Sequence, residues 1–325
     1  MEDLFLNELN KILETGQIKL KEPMFRHTSL HIGGETDYMV LPSSVEDIRR
    51  VVLLCKNHAM PYYIMGNGSN LLVSDSGYRG LIIKLGEQFS GITVEEDGTV
   101  PAQVIVPAQV IVHAQAGVLM SKLSSVIARH ELTGFEFAAG IPGTLGGAIT
   151  MNAGAYGGEI KQCLVSATVI DEAGEIHTIE NEALKLGYRS SILQEQNLCL
   201  LEASMRFNKG DKQQILDKIH ELNSLRQLKQ PLDMYSAGST FKRPEGHFAG
   251  KLICEAGLKG FQIGGAAVSE KHCGFLINKD NATAADFITL IKEVIRIVEE
   301  KSGVRLEPEV KFLGTFDKDW RKAGV

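Results

Sequence analysis

The residues from Gly134 to Gly158 constrain the fold of this chain more than any other segment does. They read GFEFAAGIPGTLGGAITMNAGAYGG and include eight glycines, with no charged residue between Glu136 and Glu159. Glycine lacks a Cβ, so it tolerates positive φ and lets the backbone approach a ligand, at a cost of roughly 0.5–1 kcal/mol relative to alanine inside a regular element. This segment is therefore predicted to be a main-chain cradle for a large, flat or phosphorylated ligand.

A second glycine loop runs from Gly66 to Leu71 and follows a predicted strand at Tyr62–Met65. It reads GNGSNL, and its main-chain N–H groups together with the Ser69 and Asn70 side chains could form an anion-binding nest. Glycine and asparagine are also ordinary turn residues, so this loop alone would be a weak indication. Two such loops in one chain indicate a bound ligand more strongly.

Composition and charge narrow the class of protein. The chain has 325 residues, a hydrophobic fraction of 44%, a charged fraction of 23% and a formal net charge of −6, as in an ordinary globular protein. Lys and Arg are scattered, so no nucleic-acid partner is expected. No apolar stretch approaches the roughly 20 residues of a membrane span, and the first residues are acidic where a signal peptide would be basic. We expect a cytoplasmic protein, a monomer, with no membrane partner.

The cysteines and histidines do not suggest a metal site. The five cysteines are far apart in sequence, with neither CxxC nor metal-ligand spacing, and the nine histidines are dispersed along the chain. We interpret the cysteines as reduced, mostly buried, small hydrophobic residues. They are Cys55, Cys163, Cys199, Cys254 and Cys273.

Hydrophobic spacing and turn residues predict a mixed α+β fold. Helices are expected before Gly16, after a cap at Ser43 or Ser44, and at 119–127, 212–228 and from Thr283 onward. Strands are expected at 62–65, 81–85, within 90–117, in a hairpin over 165–179, and at 199–207 and 304–313. Gln230-Pro231 ends the helix before it and predicts a domain boundary nearby.

The motif PAQVIV occurs twice in tandem, at 101–106 and 107–112. An insertion of six residues keeps the two faces of a strand unchanged, because strand side chains alternate with a period of two. Pro101 and Pro107 lack a donor for the strand ladder, so an edge position or a bulge is expected.

Three polar segments could supply chemistry to a ligand that the glycine loops hold. Arg189 in GYRSS could stabilise negative charge, although this segment alone favours a surface arginine in a turn. Ser239 in SAGSTFK could expose its hydroxyl, but no GxSxG elbow surrounds it. Glu307 and Glu309 would face the same side of a regular strand unless Pro308 breaks it, and solvated edge charges explain such a pair as well.

In combination these segments resemble a known family. The chain contains, in order, IMGNGSNLLVSD, GFEFAAGIPGTLGGAITMNAGAYGGE, YRSS, SAGSTFKRP, GKLICEAGLKGFQIGGAAVSEKHCGFLIN and LEPEVKFLG. Over roughly residues 25–314 it resembles the UDP-N-acetylenolpyruvoylglucosamine reductases, the MurB flavoenzymes of peptidoglycan synthesis. The resemblance implies an FAD-binding domain of the vanillyl-alcohol oxidase (PCMH) type at 1–225, with two subdomains split near 85–90. It implies a smaller α+β substrate-binding domain at 226–325.

The resemblance also implies which residues form the site. Those that match the family's FAD-binding positions are Gly66, Asn67, Gly68, Ser69, Asn70, Leu71, Gly140, Ile141, Pro142, Gly143, Gly146, Gly147, Ala148, Asn152, Ala153 and Gly154. Those that match its catalytic positions are Arg189, Ser239 and Glu309, and the substrate-binding positions are Tyr188, Lys229, Arg243 and His272. Some relatives attach flavin through a histidine, and both glycine segments lack one, so noncovalent binding is expected.

The implied reaction has two steps at one site. NADPH passes hydride to FAD and leaves, and the reduced flavin passes hydride to C3 of the enolpyruvyl group of UDP-N-acetylglucosamine enolpyruvate. Arg189 and Glu309 are assigned to stabilise the resulting enolate, where one well-placed donor contributes about 3–4 kcal/mol. Ser239 is assigned to protonate C2, a general-acid gain of roughly 10²–10⁴-fold.

Two departures from the family and two alternatives stay open at this point. Arg243 stands where many members have asparagine, and the link from Pro244 to Gly250 is short, so the tyrosine insertion of long-form members is absent. What covers the substrate is therefore open.

A flavin oxidase or dehydrogenase with the same fold and another substrate is one alternative. A noncatalytic flavin- or nucleotide-binding protein is the other.

Overall fold

A computed structural model describes residues 2–96 and 109–316 of the chain, which fold as α+β. In these residues there are eight α-helices: α1 (Glu2–Ile12), α2 (Val45–Asn57), α3 (Met120–Arg129), α4 (Leu145–Thr150), α5 (Ile192–Glu195), α6 (Lys212–Lys229), α7 (Ala249–Glu255) and α8 (Ala284–Ser302). The strands are β1 (Ile18–Pro23), β2 (Glu35–Val40), β3 (Tyr62–Met65), β4 (Leu71–Val73), β5 (Tyr78–Lys84), β6 (Ile92–Glu96), β7 (Gln109–Gln115), β8 (Leu132–Thr133), β9 (Gly154–Ala155), β10 (Gly158–Glu159), β11 (Leu164–Ile170), β12 (Ile176–Glu180), β13 (Cys199–Lys209), β14 (Tyr235–Ser236), β15 (Gln262–Ile263), β16 (Ala266–Val268), β17 (Leu276–Asn278) and β18 (Lys311–Leu313).

The chain divides into two compact units that are interleaved in sequence. Unit 1 comprises Met1–Lys19, Met39–Asn67 and Leu81–Arg226, and unit 2 comprises Leu20–Tyr38, Gly68–Gly80 and Gln227–Val325. The chain passes between the units within the strands of a four-stranded sheet with the order β1-β2-β5-β3, and again within the first glycine loop and α6. The division of the sequence at 225 and 226 stays a prediction.

Unit 1 is built on a six-stranded sheet with the order β12-β11-β13-β7-β6, in which β8 also pairs with β13. The hairpin expected at 165–179 is confirmed as the antiparallel pair β11 and β12. The central strand β13 buries alternate residues, including Ala203, Met205 and Phe207, and α4 packs against it. Because strand side chains alternate between the two faces of a sheet, these buried residues share one face. The glycine segment that contains α4 is supported by this sheet.

Unit 2 is built on the sheet β14-β17-β16-β15, against which α8 packs, and on the parallel pair β4 and β18. The expected capping box of α8 is confirmed: Thr283 Oγ1 accepts from Asp286 N at 3.0 Å. Asp75, which follows the first glycine loop, adds a second cap by accepting from Ala284 N and Ala285 N. Carboxylates at a helix N-terminus satisfy N–H groups that lack helical partners.

The structure confirms most of the predicted elements and corrects one. The strand predicted at 62–65 is β3, and Ser44, not Ser43, caps α2. The strand predicted at 304–313 is wrong over its first part, because only Lys311–Leu313 pairs as a strand. Pro308 interrupts it, since proline has no N–H for a ladder, and makes only an isolated bridge with Phe241.

The PAQVIV repeat lies only partly in the described residues. The first copy, Pro107 and Ala108 lie outside them, whereas Gln109–Val112 of the second copy belongs to β7. In that part β7 pairs with both β13 and β6, so it is an interior strand and not an edge. In the parts of the chain that the structure describes, no helix is both long and apolar enough to cross a membrane.

Candidate active site

The two glycine segments meet within unit 1. A Cβ added to Gly66 would overlap Thr144 Oγ1, and Thr144, which is buried, lies in the long glycine segment. Close packing between the two segments therefore requires glycine at position 66. The other end of the first loop belongs to unit 2, and within that unit Asn70 Nδ2 donates to Glu309 O at 3.2 Å. The Asn70 side chain was expected to line an anion-binding nest. One of its N–H groups instead holds the main chain of Glu309, a predicted catalytic residue.

Main-chain hydrogen bonds hold the start of α4 against the connection between β7 and α3. Leu145 N donates to Val118 O at 2.8 Å, and Gly146 N donates to Ala116 O at 2.9 Å. Gly147 differs from its neighbours because it is exposed, and no described atom lies within 4 Å of a Cβ built there. Packing inside the protein therefore does not require glycine at 147, and the assignment of Gly147 to the FAD site stays a prediction.

Arg226, near the end of α6, is a buried cation that lacks a full set of partners. It is 7% exposed, and its Nη1 is the one buried side-chain nitrogen or oxygen without a hydrogen-bond partner in residues 2–96 and 109–316. Its Cζ lies 5.6 Å from the centre of the Tyr156 ring. Burial lowers the pKa of the Arg226 guanidinium, but arginine stays charged in proteins. A buried charge needs an acceptor, so Nη1 is suited to donate to an oxygen of a ligand.

Arg226 and the glycine segments fit FAD. A Cβ on Gly140 would overlap Arg226 Nη1, so the unpaired N–H group lies directly against the long glycine segment. FAD offers diphosphate and flavin carbonyl oxygens, which accept hydrogen bonds from main-chain N–H groups and from guanidinium. Arg226 is not among the residues predicted from the sequence, although a signal existed: it precedes the predicted substrate ligand Lys229 by three residues, about one turn of the same helix.

Arg189 lies in a strained turn of unit 1. Its φ is +55°, a conformation that costs energy for a residue other than glycine. Gln194 Nε2 donates to Arg189 O at 3.1 Å and to Thr150 O at 2.8 Å, and Ser191 Oγ donates to Thr150 O at 2.7 Å. Side chains thus tie this turn to the end of α4. Tyr188, which was predicted to bind substrate, is exposed, and its ring centre lies 5.2 Å from Arg189 Cζ.

Asn152 gives the Arg189 turn a further support. It is 2% exposed, and its Nδ2 donates to Glu159 Oε2 at 2.8 Å and to Gly187 O at 3.1 Å. Its Oδ1 accepts from Lys161 N at 3.0 Å. An asparagine amide has two donors and two acceptor sites, so three of the four are used inside the protein. The prediction that Asn152 binds FAD is therefore restricted to its main chain, and its side chain positions the turn before Arg189.

The Ser239 turn and Glu309 lie side by side within unit 2. Glu309 N donates to Thr240 O at 2.8 Å, and Lys242 N donates to Glu307 O at 2.8 Å. Ser239 Oγ donates to Phe241 O at 3.2 Å, so the hydroxyl expected to be exposed is half-buried and has a main-chain acceptor. Main-chain pairing brings the two predicted catalytic residues of this unit together.

Glu307 and Glu309 have different environments. The exposed Glu307 forms an ion pair with Lys242, at 3.1 Å between Oε2 and Nζ. Glu309 is half-buried and interacts electrostatically with Lys311, whose pKa is lowered by partial burial and by Lys242 and raised by Glu309. Only Glu309 is held both by the Ser239 turn and by the first glycine loop, which favours it over Glu307 as the functional carboxylate.

The remaining predicted substrate residues lie in unit 2. Lys229 ends α6 and is exposed, and Arg243 is exposed with its Cζ 4.1 Å from the centre of the Phe248 ring. His272 is half-buried, and its Nδ1 accepts from Gly274 N at 3.1 Å. Burial lowers the pKa of His272, so its ring is neutral at pH 7.

The cysteines match their prediction with one exception. Cys55, Cys163, Cys199 and Cys273 are buried, but Cys254 is exposed. All five are free thiols. No group of three or more His, Cys, Asp or Glu side chains in the described part of the chain could hold a metal ion.

Comparisons with known proteins place the chain in two domain families. Residues 36–180 match the FAD binding domain family, and residues 230–313 match the family described as UDP-N-acetylenolpyruvoylglucosamine reductase, C-terminal domain. The first match contains β3, Gly66–Leu71 and the long glycine segment. The second contains Ser239 and Glu309.

Whole-chain relatives extend the match. The chain is 49% identical to the UDP-N-acetylenolpyruvoylglucosamine reductase of Lachnoclostridium phytofermentans, over 97% of this chain and 98% of the relative. It is 47% identical to that of Caldanaerobacter subterraneus subsp. tengcongensis, over 97% and 99%. The crystal structure of the MurB enzyme of Thermus caldophilus has a TM-score of 0.73 and 32% identity, covering 91% of this chain and 98% of that one. The chain therefore belongs to the UDP-N-acetylenolpyruvoylglucosamine reductase family.

Proposed function

We propose that this chain reduces the enolpyruvyl group of UDP-N-acetylglucosamine enolpyruvate to give UDP-N-acetylmuramate, a step of peptidoglycan precursor synthesis, with FAD as cofactor and NADPH as reductant. Family membership supports the activity. The single structural observation that carries it is the buried, unpaired Arg226 Nη1 against Gly140, beside glycine segments in close contact. This arrangement suits an anionic, oxygen-rich cofactor that lies against bare main chain.

Both glycine segments bind the cofactor in this proposal. Gly66–Leu71, Gly140–Gly143, Gly146–Ala148 and the main chain of Asn152–Gly154 form the noncovalent FAD site, and Arg226 donates from Nη1 to one of its oxygens. Bound FAD supplies the two-electron relay between NADPH and the substrate.

The polar residues act on the enolpyruvyl group. Arg189 and Glu309 stabilise the charge that develops on C2 and the carboxylate, and Ser239 donates its proton to C2. Ser239 Oγ now donates to Phe241 O, so the hydroxyl must rotate toward C2 before proton transfer. Because serine is a weak acid, its proton can pass only to a strongly basic enolate, after which solvent restores it.

The substrate residues differ in charge. Lys229 and Arg243 are cationic and suit the diphosphate of the sugar nucleotide, whereas neutral His272 and Tyr188 can make hydrogen bonds. We further propose that residues 1–225 and 226–325 divide as FAD-binding and substrate-binding domains, and that the protein works as a cytoplasmic monomer.

Product analysis tests the proposal. The purified protein should be yellow, and with NADPH and UDP-N-acetylglucosamine enolpyruvate it should form UDP-N-acetylmuramate, identified by mass, in equal amount to the NADPH consumed. The alternative of a flavin oxidase or dehydrogenase predicts NADPH bleaching without recovery on adding this substrate. A binding protein without catalysis predicts bound flavin and no NADPH consumption. Either outcome would reject the proposed activity.

A further inference from the structure

Two of the five cysteines lie in contact within unit 2. The thiol of Cys273 interacts with the thiol of Cys254, although 18 residues separate them in sequence and neither is in a disulfide. Cys254 is in the last turn of α7, four residues after Gly250 and so on the same side of the helix. A Cβ on Gly250 would lie 3.2 Å from His272 Cε1 and 3.1 Å from Gly274 N, which shows that this side of α7 packs on the loop of Cys273.

The loop that carries Cys273 is joined to the Ser239 turn. Gly274 O accepts from Thr240 N at 2.9 Å, and Thr240 Oγ1 accepts from Leu276 N at 3.1 Å. Thr240 also accepts from Glu309 N. A displacement of residues 272–274 would therefore be passed through Thr240 to both predicted catalytic residues of this unit.

We propose that Cys254 and Cys273 form a reversible disulfide, a modification site at which a small-molecule disulfide alters the substrate-reducing step. One thiol is exposed and the other is buried beside it, an arrangement that gives a point of attack and a resolving partner. The effect on catalysis rests on the proposed function, whereas formation of the disulfide does not.

The chemistry proceeds by two thiol–disulfide exchanges. Cys254 Sγ, as thiolate, attacks one sulfur of R–S–S–R, the small-molecule S–S bond breaks, and R–S⁻ leaves and takes a proton from water. Cys273 then loses its proton to water and its Sγ attacks Cys254 Sγ, which expels the second R–S⁻. The two cysteines are oxidised by two electrons, and one R–S–S–R is reduced to two R–SH.

The environments of the two thiols set the order of these steps. Burial first, and then the hydrogen bond with Cys254, raise the pKa of Cys273 to about 11, which Lys259 partly opposes. At neutral pH Cys273 is therefore a thiol, and closure of the disulfide is the slower step. While the pH is below the pKa of Cys273, the rate of closure should rise about tenfold for each unit by which the pH is raised, because the thiolate fraction rises by the same factor.

Closing the bond moves the loop. A disulfide has an S–S length of about 2.05 Å, shorter than any hydrogen-bonded thiol pair, so α7 and residues 272–274 must approach each other. A shift of about 1 Å in a catalytic group can cost about 10²-fold in rate. We expect the oxidised protein to reduce substrate at least tenfold more slowly and to accept electrons from NADPH at an unchanged rate.

The first arm of the test measures the bond itself. The holoenzyme is incubated with oxidised glutathione, and its thiols are counted after denaturation under acid quench. The count should fall by two, and a protease digest should contain a linked peptide pair with Cys254 and Cys273. Cys273→Ser should trap a glutathione adduct on Cys254, Cys254→Ser should form no disulfide, and the control Cys163→Ala should behave like wild type. A stable adduct on wild type, another cysteine pairing, or no reaction would overturn the proposal.

The second arm measures the two half-reactions by flavin absorbance before and after oxidation. Slower recovery of oxidised flavin on adding substrate, restored by dithiothreitol and absent in Cys254→Ser, is the expected result. Equal rates in the oxidised and reduced proteins would overturn the link to the Ser239 turn. If the reduced wild type does not turn over substrate at all, the proposed function fails, while the thiol count still decides whether the disulfide forms.

Discussion

The two turns that carry the predicted catalytic residues are held in opposite ways. The Arg189 turn of unit 1 has a left-handed residue and depends on the side chains of Asn152, Ser191 and Gln194. The Ser239 turn of unit 2 is held by main-chain hydrogen bonds from Thr240 and Lys242 to neighbouring segments. A single substitution can therefore displace the first turn, whereas the second should keep its backbone when the Ser239 side chain is removed.

The largest effect is expected for Ser239→Ala. The substrate-reducing step should slow by about 10²–10⁴-fold because the proton donor is lost. The melting temperature and the rate of flavin reduction by NADPH should stay the same, because main-chain bonds hold the turn. Stopped-flow flavin absorbance measures both steps, with Ser236→Ala as the matched control. Equal losses in both steps would show that this turn also depends on its side chains.

Asn152→Ala should break the Arg189 turn. The substrate-reducing step should slow by about 10–10²-fold as Arg189 shifts. Stability should fall by about 1–3 kcal/mol, because buried partners lose their hydrogen bonds.

Asn181→Ala is the control for Asn152→Ala, because Asn181 Nδ2 likewise donates two hydrogen bonds in unit 1, but to Lys161 O and Leu164 O and not to the Arg189 turn. It should destabilise similarly in urea unfolding and leave the substrate-reducing rate unchanged. Identical kinetics for the two variants would contradict the positioning role of Asn152.

Substitutions of two glycines in the proposed FAD site should have smaller effects, which differ from each other. Gly147→Ala should stabilise the FAD-free protein by up to about 1 kcal/mol, because alanine favours the helix and meets no neighbour. It should weaken FAD binding in a fluorescence titration. Gly66→Ala should lower both stability and FAD affinity, because its Cβ overlaps Thr144. Unchanged FAD affinity in Gly147→Ala would mean that this open position does not face the cofactor.

The smallest effect concerns pH and His272. Its folded-state pKa lies below the ordinary value of 6.5, so the unfolded state binds more protons below that pH. The stability that neutral His272 contributes is complete above pH 6.5 and is lost as the pH falls through the folded pKa. His272→Gln should reduce the change in unfolding free energy with pH by less than about 1 kcal/mol, since the ring is half-exposed. Urea unfolding on both sides of pH 6.5 measures it, and a steeper dependence in the variant would contradict the assignment.

The sequence predicts what depends on local pattern. Thr283 with Asp286 predicts the start of α8, and turn residues predict the hairpin of β11 and β12, because caps and turns are set by neighbours in sequence. The motifs predict the family, which the comparisons confirm.

Distant packing is what the sequence could not predict. That Arg226 Nη1 lacks a hydrogen-bond partner can be seen only when its burial is known. That the Asn152 amide donates to Gly187 O can be seen only from the distance between them. The contact of Cys254 with Cys273 depends on how α7 packs on a later loop, which their spacing in sequence does not indicate. The loss of strand structure before Lys311 follows from Pro308, whose effect depends on the partner strand available.

An anaerobic single-turnover experiment on the wild-type protein tests whether one bound flavin carries electrons from NADPH to the substrate. NADPH should bleach the bound flavin, and UDP-N-acetylglucosamine enolpyruvate should then restore its absorbance in a separate step, with one UDP-N-acetylmuramate formed per flavin. A flavin that stays bleached in the presence of this substrate, or a protein that binds no FAD, would contradict it.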